Sequence, residues 1–233
     1  MAKLSIKKKD RIILAKKDIT PIESSISLSF DYSFSMHKFY VDGTIQRLLV
    51  RLLPLFDRLK CPELKVYLFN EDYKKISLLS YLNVNNYVTN VIANSRYKFG
   101  ATRYAPILKA LLKDAEDEDI ERYNDDLNCT FDLMYKPHLH IIVSDGDIVD
   151  IDYVESILVN KEQSINYFIF LSFGKEEDFR FAHHLADVHR NIDFIYSKDI
   201  NLVKDEKLQY RLLYKYLEWA NSPRIKQALI IRH

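Results

Sequence analysis

The stretch ISLSFDYSFS, residues 26–35, decides the fold of this chain. Its first half, residues 26–30, is an apolar run with the length and composition of a short β-strand. The run ends on one carboxylate and two hydroxyls spaced two residues apart, Asp31, Ser33 and Ser35. Oxygen-only ligands on a turn that leaves a strand suit a small hard cation such as Mg²⁺. The stretch therefore predicts a strand that ends in a metal site.

Two later segments strengthen the metal-site hypothesis. Thr102 follows Gly100 in a loop, and Asp145 stands in a Ser-Asp-Gly sequence at the end of another apolar run. The pattern D-x-S-x-S alone is weak and arises by chance, whereas the three segments together are fairly specific. The alternative is that Ser33 and Ser35 cap a turn while Thr102 bonds the backbone locally.

These three segments resemble the metal-ion-dependent adhesion site (MIDAS) of a von Willebrand factor A (vWA) domain. The closest resemblance is to the vWA domain of TerF-type tellurium-resistance proteins. It covers roughly residues 25–220 and includes the segments 40–47, 66–69 and 100–106. Phe34 departs from the family pattern, which usually has glycine between the two serines. Phenylalanine is compatible with the loop if its side chain points outward.

The resemblance implies an α/β vWA fold, with a mostly parallel six-stranded sheet between helices. It implies that Ser33, Ser35 and Thr102 bind Mg²⁺ directly, with Mn²⁺ or Ca²⁺ as alternatives, and that Asp31 and Asp145 act mostly through bound water. An acidic side chain of a partner protein would fill the open position. The implied function is a non-catalytic, metal-dependent interaction module of a bacterial tellurite- or stress-resistance system.

A metal-assisted phosphohydrolase that uses Asp31 as nucleophile or base is the alternative function. Such an enzyme would need a second carboxylate two residues after Asp31, where Ser33 stands instead. It would also need a cation beside the metal, for which Arg103 is the candidate. The sequence contains no Ser-His-Asp order, phosphate-binding loop or Cys-x-x-Cys motif. We therefore expect a binding module rather than an enzyme.

Strands that alternate with helices predict the mostly parallel sheet from the residues themselves. The predicted strands are residues 26–30, 64–69, 76–79, 139–143, 167–171 and 192–195. Apolar residues at helical spacing follow Gly43, Pro106 and Asp205, and residues 81–94 are also expected to be helical. Pro54 should kink the first of these helices. Asp205 is the expected cap of the last.

Three units follow from the pattern: residues 1–25, a basic β-hairpin extension; residues 26–222, the vWA domain; and residues 223–233, a C-terminal tail. The Lys-rich run 7–11 either binds an anionic partner or is a solvated turn beside an edge strand, which is the simpler interpretation. The acidic stretch 114–126 is either a site for a cation or basic partner or, more simply, a solvated helix end and loop.

The bulk composition restricts the class of protein. Its 233 residues are 48% hydrophobic, which suffices for a core and argues against disorder. A net charge of +1 gives no general reason to expect binding to nucleic acid or a membrane surface. Two cysteines, Cys61 and Cys129, are too few for a secreted disulfide framework, so we expect a cytoplasmic protein. No signal peptide or membrane-spanning run is visible.

Overall fold

A single mixed sheet forms the centre of the computed structural model, which describes residues 21–126, 135–146, 148–159, 164–174 and 179–230. Its strands lie in the order β3-β2-β1-β4-β5-β6, with β3 antiparallel to β2 and all other neighbours parallel. The strands are β1 Ser25–Asp31, β2 Leu64–Phe69, β3 Tyr73–Leu79, β4 His138–Ser144, β5 Asn166–Phe173 and β6 Ile192–Ser197. The predicted six-stranded, mostly parallel sheet is confirmed.

Helices connect the strands. They are α1 His37–Val41, α2 Thr44–Leu52, α3 Pro54–Arg58, α4 Ala105–Asp126, α5 Ile151–Val159, α6 Arg180–Val188, α7 Asp205–Ala220 and α8 Pro223–Ala228. Pro54 separates α2 from α3, as expected of a residue without a backbone N–H. Across the residues that the structure describes, no helix is both long enough and apolar enough to cross a membrane.

The two faces of the sheet carry separate cores, because successive strand residues point to opposite sides. Ile26, Leu28 and Phe30 of β1 belong to a core that includes the apolar faces of α2 and α7. The other face is covered by α4, α5 and α6, through residues such as Leu108 and Val154. Helices therefore lie on both faces, as predicted.

The order of the strands creates a switch point in the middle of the sheet. From β1 the chain runs to β2 and β3 on one side, and it later enters β4 on the other side of β1. Ligands of open α/β sheets bind beyond the carboxyl ends of the strands at such a point. Here β1 ends at Asp31 and β4 ends at Ser144, so the switch point lies where the sequence places the candidate site.

The segment between β3 and α4 differs from the prediction of a helix over residues 81–94. It forms a turn, a π-helix at Val88–Ile92 and a short 3₁₀-helix at Ala93–Ser95. Asn83 explains part of the irregularity, since its side chain accepts a hydrogen bond from Ser80 N and donates one to Leu78 O. Asparagine side chains that bond the backbone locally compete with helix formation.

Two predictions about helix ends were wrong. Asp205 does not cap α7: the residue before the helix is Lys204, and the Asp205 carboxylate instead accepts a 2.6 Å bond from Arg51 Nε of α2. The acidic stretch 114–126 is not a helix end followed by a loop, because α4 continues through it to Asp126. An ion pair accounts for Asp205, and the first half of the acidic stretch is paired too, Asp114 with Lys75 and Glu118 with Lys65.

The structure covers the predicted hairpin and the predicted tail only in part. Residues 1–20, most of the predicted hairpin, lie outside the described residues, as do Cys129 and residues 231–233. Residues 223–228, placed in the predicted tail, form α8, and its Ile225 is buried against Ile165 and Leu229.

A series of hydrogen bonds between buried polar side chains links β1, β4 and β5. Ser27 Oγ lies 2.7 Å from His140 Nδ1, and His140 Nε2 lies 2.8 Å from Asn166 Oδ1. Since a carbonyl oxygen only accepts, Nε2 donates to Asn166, and in the neutral imidazole Nδ1 then accepts from Ser27. Burial lowers the pKa of His140 to about 3, although the bond to Asn166 opposes this shift.

Acid should destabilise the fold through His140. The unfolded chain takes up a proton near pH 6.5 whereas the folded chain does so only near pH 3, so this contribution to stability is lost as the pH falls through that range. We predict that the stability advantage of the wild type over His140→Gln falls by about 2 kcal/mol between pH 8 and pH 5. Urea unfolding followed by circular dichroism measures it, with exposed His37→Gln as control. Equal advantages at both pH values would contradict the prediction.

Candidate functional site

The carboxylate of Asp31 lies at the centre of the candidate site. It is completely buried at the end of β1. Ser144 Oγ, at the end of β4, donates to its Oδ2 at 2.6 Å, and Ser33 N donates to its Oδ1 at 2.8 Å. The ends of two neighbouring strands and the turn after β1 are thus tied to a single side chain.

Thr102 reaches this carboxylate from a separate loop. Gly100 pairs with the turn after β1, since its N–H donates to Tyr32 O and its carbonyl accepts from Phe34 N. A Cβ at Gly100 would lie 3.0 Å from Asn70 Nδ2, so only glycine fits without displacing that side chain. The close approach brings Thr102 Oγ1 to 3.2 Å from Asp31 Oδ2.

The remaining two predicted ligands complete the cluster. Ser33 Oγ lies 3.0 Å from Ser35 Oγ, and Ser35 Oγ donates to Asp145 Oδ1 at 2.7 Å. All five predicted residues, Asp31, Ser33, Ser35, Thr102 and Asp145, therefore belong to one connected hydrogen-bond network. Three segments that are far apart in the sequence converge at the switch point.

Two carboxylates share this small region. Burial raises the pKa of Asp31 to about 6, hydrogen bonds from Ser144, Ser33 and Thr102 oppose the shift, and the charge of Asp145 adds to it. Lys38 Nζ lies 3.9 Å from Asp145 Oδ2 and supplies a nearby positive charge on α1. A divalent cation at the hydroxyls would favour the ionised form of both carboxylates.

The donor set fits a hard divalent cation. It consists of three hydroxyl and two carboxylate side chains, all of them oxygen donors, which is the ligand chemistry of Mg²⁺. No group of three or more His, Cys, Asp or Glu side chains able to hold a metal occurs in the described part of the chain. A metal site here would therefore rest on neutral hydroxyls rather than on histidine or cysteine.

Aromatic packing holds the loops beneath this cluster. The ring of Tyr32 stacks on that of Phe99, with centroids 3.8 Å apart, and Tyr40 packs edge-on against Tyr32. Tyr40 Oη also donates to the backbone oxygen of Asp31 at 2.9 Å. Phe34 is outside this packing, and its φ is not positive, so a side chain fits there without backbone strain.

Three supporting residues were missed from the sequence. Ser144 directly precedes Asp145 and might have been found, because it ends the same strand as a polar residue. Asp150 holds the loop after Thr102: its carboxylate accepts from Tyr104 N at 3.0 Å and from Ala105 N at 2.8 Å. It caps α4 from across the fold, and no local signal marks such a cap. The proximity of Lys38 to Asp145 likewise appears only in the structure, because the two residues are far apart in the sequence.

Loss of the Asp150 cap should destabilise the protein. Asp150→Ala leaves two backbone N–H groups at the start of α4 without their acceptor, and we predict a loss of about 1–2 kcal/mol in the free energy of unfolding. Chemical denaturation measures it, with exposed Asp152→Ala as the matched control. If both variants lose the same stability, Asp150 does not act as a cap.

Comparisons with known proteins concern the family and the fold. The sequence model of the vWA-TerF-like family, described as the vWA found in the TerF C terminus, matches residues 23–229. YcbR of Bacillus subtilis (strain 168), an uncharacterized protein, is 23% identical over 234 residues, which cover 97% of this chain and 90% of YcbR. The match thus extends over almost the whole of both proteins.

Solved structures share the fold at low sequence identity. The N-terminal domain of TFIIH p34 gives a TM-score of 0.61 at 10% identity, with 84% of this chain and 97% of that chain covered. Proximal thread matrix protein 1 from the mussel byssus, in a structure with a zinc-occupied MIDAS motif, gives 0.51 at 13% identity, with 87% and 47% covered. This chain therefore spans about half the length of the mussel protein, and the likeness concerns the fold alone.

Proposed function

This chain belongs to the vWA-TerF-like family, and we propose that it is a non-catalytic, metal-dependent protein-interaction module. One observation carries the proposal: five oxygen-bearing residues from three distant segments join in one hydrogen-bond network at the switch point of the sheet, in which the backbone N–H of Ser33 links Asp31 to the serine hydroxyls. Local turn capping, the alternative for these hydroxyls, would pair them with nearby backbone groups, whereas Ser35 bonds Asp145 and Thr102 bonds Asp31.

Ser33, Ser35 and Thr102 are the proposed direct ligands of Mg²⁺, with Mn²⁺ or Ca²⁺ as alternatives. Asp31 and Asp145 would act through bound water. When bound, the ion would supply an electrophilic position for a carboxylate, because neutral hydroxyls leave its charge largely uncompensated. The partner is accordingly a protein that presents an acidic side chain.

The burial of Asp31 supports binding over phosphate hydrolysis. A nucleophilic carboxylate must reach the substrate, whereas Asp31 is fully buried and accepts bonds from Ser33, Thr102 and Ser144. A screen of the pure protein against phosphomonoesters with Mg²⁺ or Mn²⁺ tests this point. Metal-dependent turnover that is lost in Asp31→Asn would refute the non-catalytic role.

The biological setting is proposed from the family. We place the module in a bacterial tellurite- or stress-resistance system, and in the cytoplasm because Cys61 is a free buried thiol. Deletion of the gene followed by growth on tellurite and on other oxidants tests the setting separately from the metal site.

Metal binding should raise the melting temperature. At a metal concentration tenfold above Kd, mass action stabilises the folded state by about 1.4 kcal/mol, which corresponds to about 3–6 °C for a domain of this size. We predict this shift for the wild type with Mg²⁺ or Mn²⁺ and its loss in Thr102→Ala. Asp31 keeps its bonds to Ser33 and Ser144 in that variant, so the metal-free fold should persist.

Thr89→Ala is the control, because Thr89 is an exposed threonine in the π-helix, away from the cluster. It should keep the full metal-induced shift, and EDTA should abolish the shift in every variant. An equal shift in Thr102→Ala and the wild type would show that the ion binds elsewhere.

A further inference from the structure

We propose that the rim of the candidate metal site is a docking surface for a peptide segment that carries a large apolar side chain beside its acidic residue. The inference rests on the proposed function and adds the chemistry of the partner. Phe34 and Val149 provide the apolar part of this surface, which we call the apolar rim. Lys38, which lies 3.9 Å from Asp145, provides its positive charge.

Phe34 is exposed on a loop that is fixed on both sides. Its side chain is 74% exposed, although its backbone N–H donates to Gly100 O at 3.1 Å. Its neighbours Ser33 and Ser35 are bonded to each other, and Ser35 is bonded to Asp145. A partner that covers Phe34 would therefore gain apolar burial without having to order the loop that presents it.

Val149 lies on the second loop of the rim and is 71% exposed. Val149 directly precedes Asp150, which accepts bonds from Tyr104 N and Ala105 N, just after Thr102. The apolar rim thus has one member between Ser33 and Ser35 and another beside the bonded Asp150. Single exposed apolar residues are ordinary on surfaces, but these two belong to loops that supply the proposed ligands.

The charges of the rim complement an acidic segment. Lys38 is 67% exposed and lies 3.9 Å from Asp145, and exposed Arg103 directly follows Thr102. Lys38 is therefore the positive side chain that the structure places beside a proposed ligand, and a metal ion would add to its charge. An acidic residue of the partner that reaches the metal would have Lys38 and the ion beside it, and an adjacent apolar side chain would meet Phe34 or Val149.

Short random peptides displayed on phage can identify this chemistry without knowledge of the partner. The library is selected on the wild-type chain in Mn²⁺, and the recovered peptides are labelled and titrated by fluorescence anisotropy. We expect an aspartate or glutamate next to a large apolar residue in the recovered sequences. We expect EDTA and Thr102→Ala to abolish binding.

Phe34→Ser is the decisive variant, and it should weaken binding by about tenfold or more, as expected for the loss of one buried aromatic side chain. Leu82→Ser is the matched control, since Leu82 is 98% exposed and follows the far end of β3. It should bind as the wild type does. The metal-induced melting shift of Phe34→Ser verifies that its metal position is intact.

The outcomes separate this inference from the proposed function. Metal-dependent peptides that bind Phe34→Ser as tightly as the wild type would overturn the apolar rim and leave the metal module standing. The same holds if Mn²⁺ raises the melting temperature but selection yields no peptide that loses binding in Thr102→Ala. If Mn²⁺ gives no shift at all, the proposed function itself fails.

Discussion

A buried carboxylate at the end of a central strand is the constraint on which the site depends. An ionised carboxylate is costly to bury unless donors surround it, and Asp31 obtains its donors from the turn after β1, the loop of Thr102 and the end of β4. Each of those segments is thereby fixed at the switch point. The need to satisfy one charge explains why residues so distant in the sequence meet.

The sheet could be predicted because its signals are local, whereas the five clustered residues were predicted from the resemblance to the vWA family. Apolar runs such as 139–143 predict buried strands without further information. Asp31, Ser33 and Ser35 stand within one short turn. The cap that Asp150 supplies could not be predicted, since it acts on a helix that begins 45 residues earlier. For the same reason Asp205, which looks like a local cap, binds Arg51 of another helix instead.

The acidic part of α4 shows how composition can mislead. Burial alone would raise the pKa of Glu118, but its contacts with Lys65 bring it below the usual value. Asp114 likewise pairs with Lys75, and His138 Nε2 lies 3.0 Å from Asp119. One side of this helix is therefore neutralised by the sheet. Part of the charge run is therefore a tertiary interface, while Glu116, Asp117 and Glu121 are exposed to solvent.

Phe34 affects the exposed surface of the D-x-S-x-S loop without affecting its backbone geometry. Its φ is negative, so the glycine usual in the resembling family is not required by the backbone at this position. The bonds of Ser33 and Ser35 are made with phenylalanine between them, and the loop therefore keeps its geometry whichever residue stands there. What the phenylalanine changes is the exposed surface of the loop, where we propose that a partner docks. Glycine at this position would remove the exposed ring without altering the serines, so the proposed metal site and the proposed docking surface can vary independently.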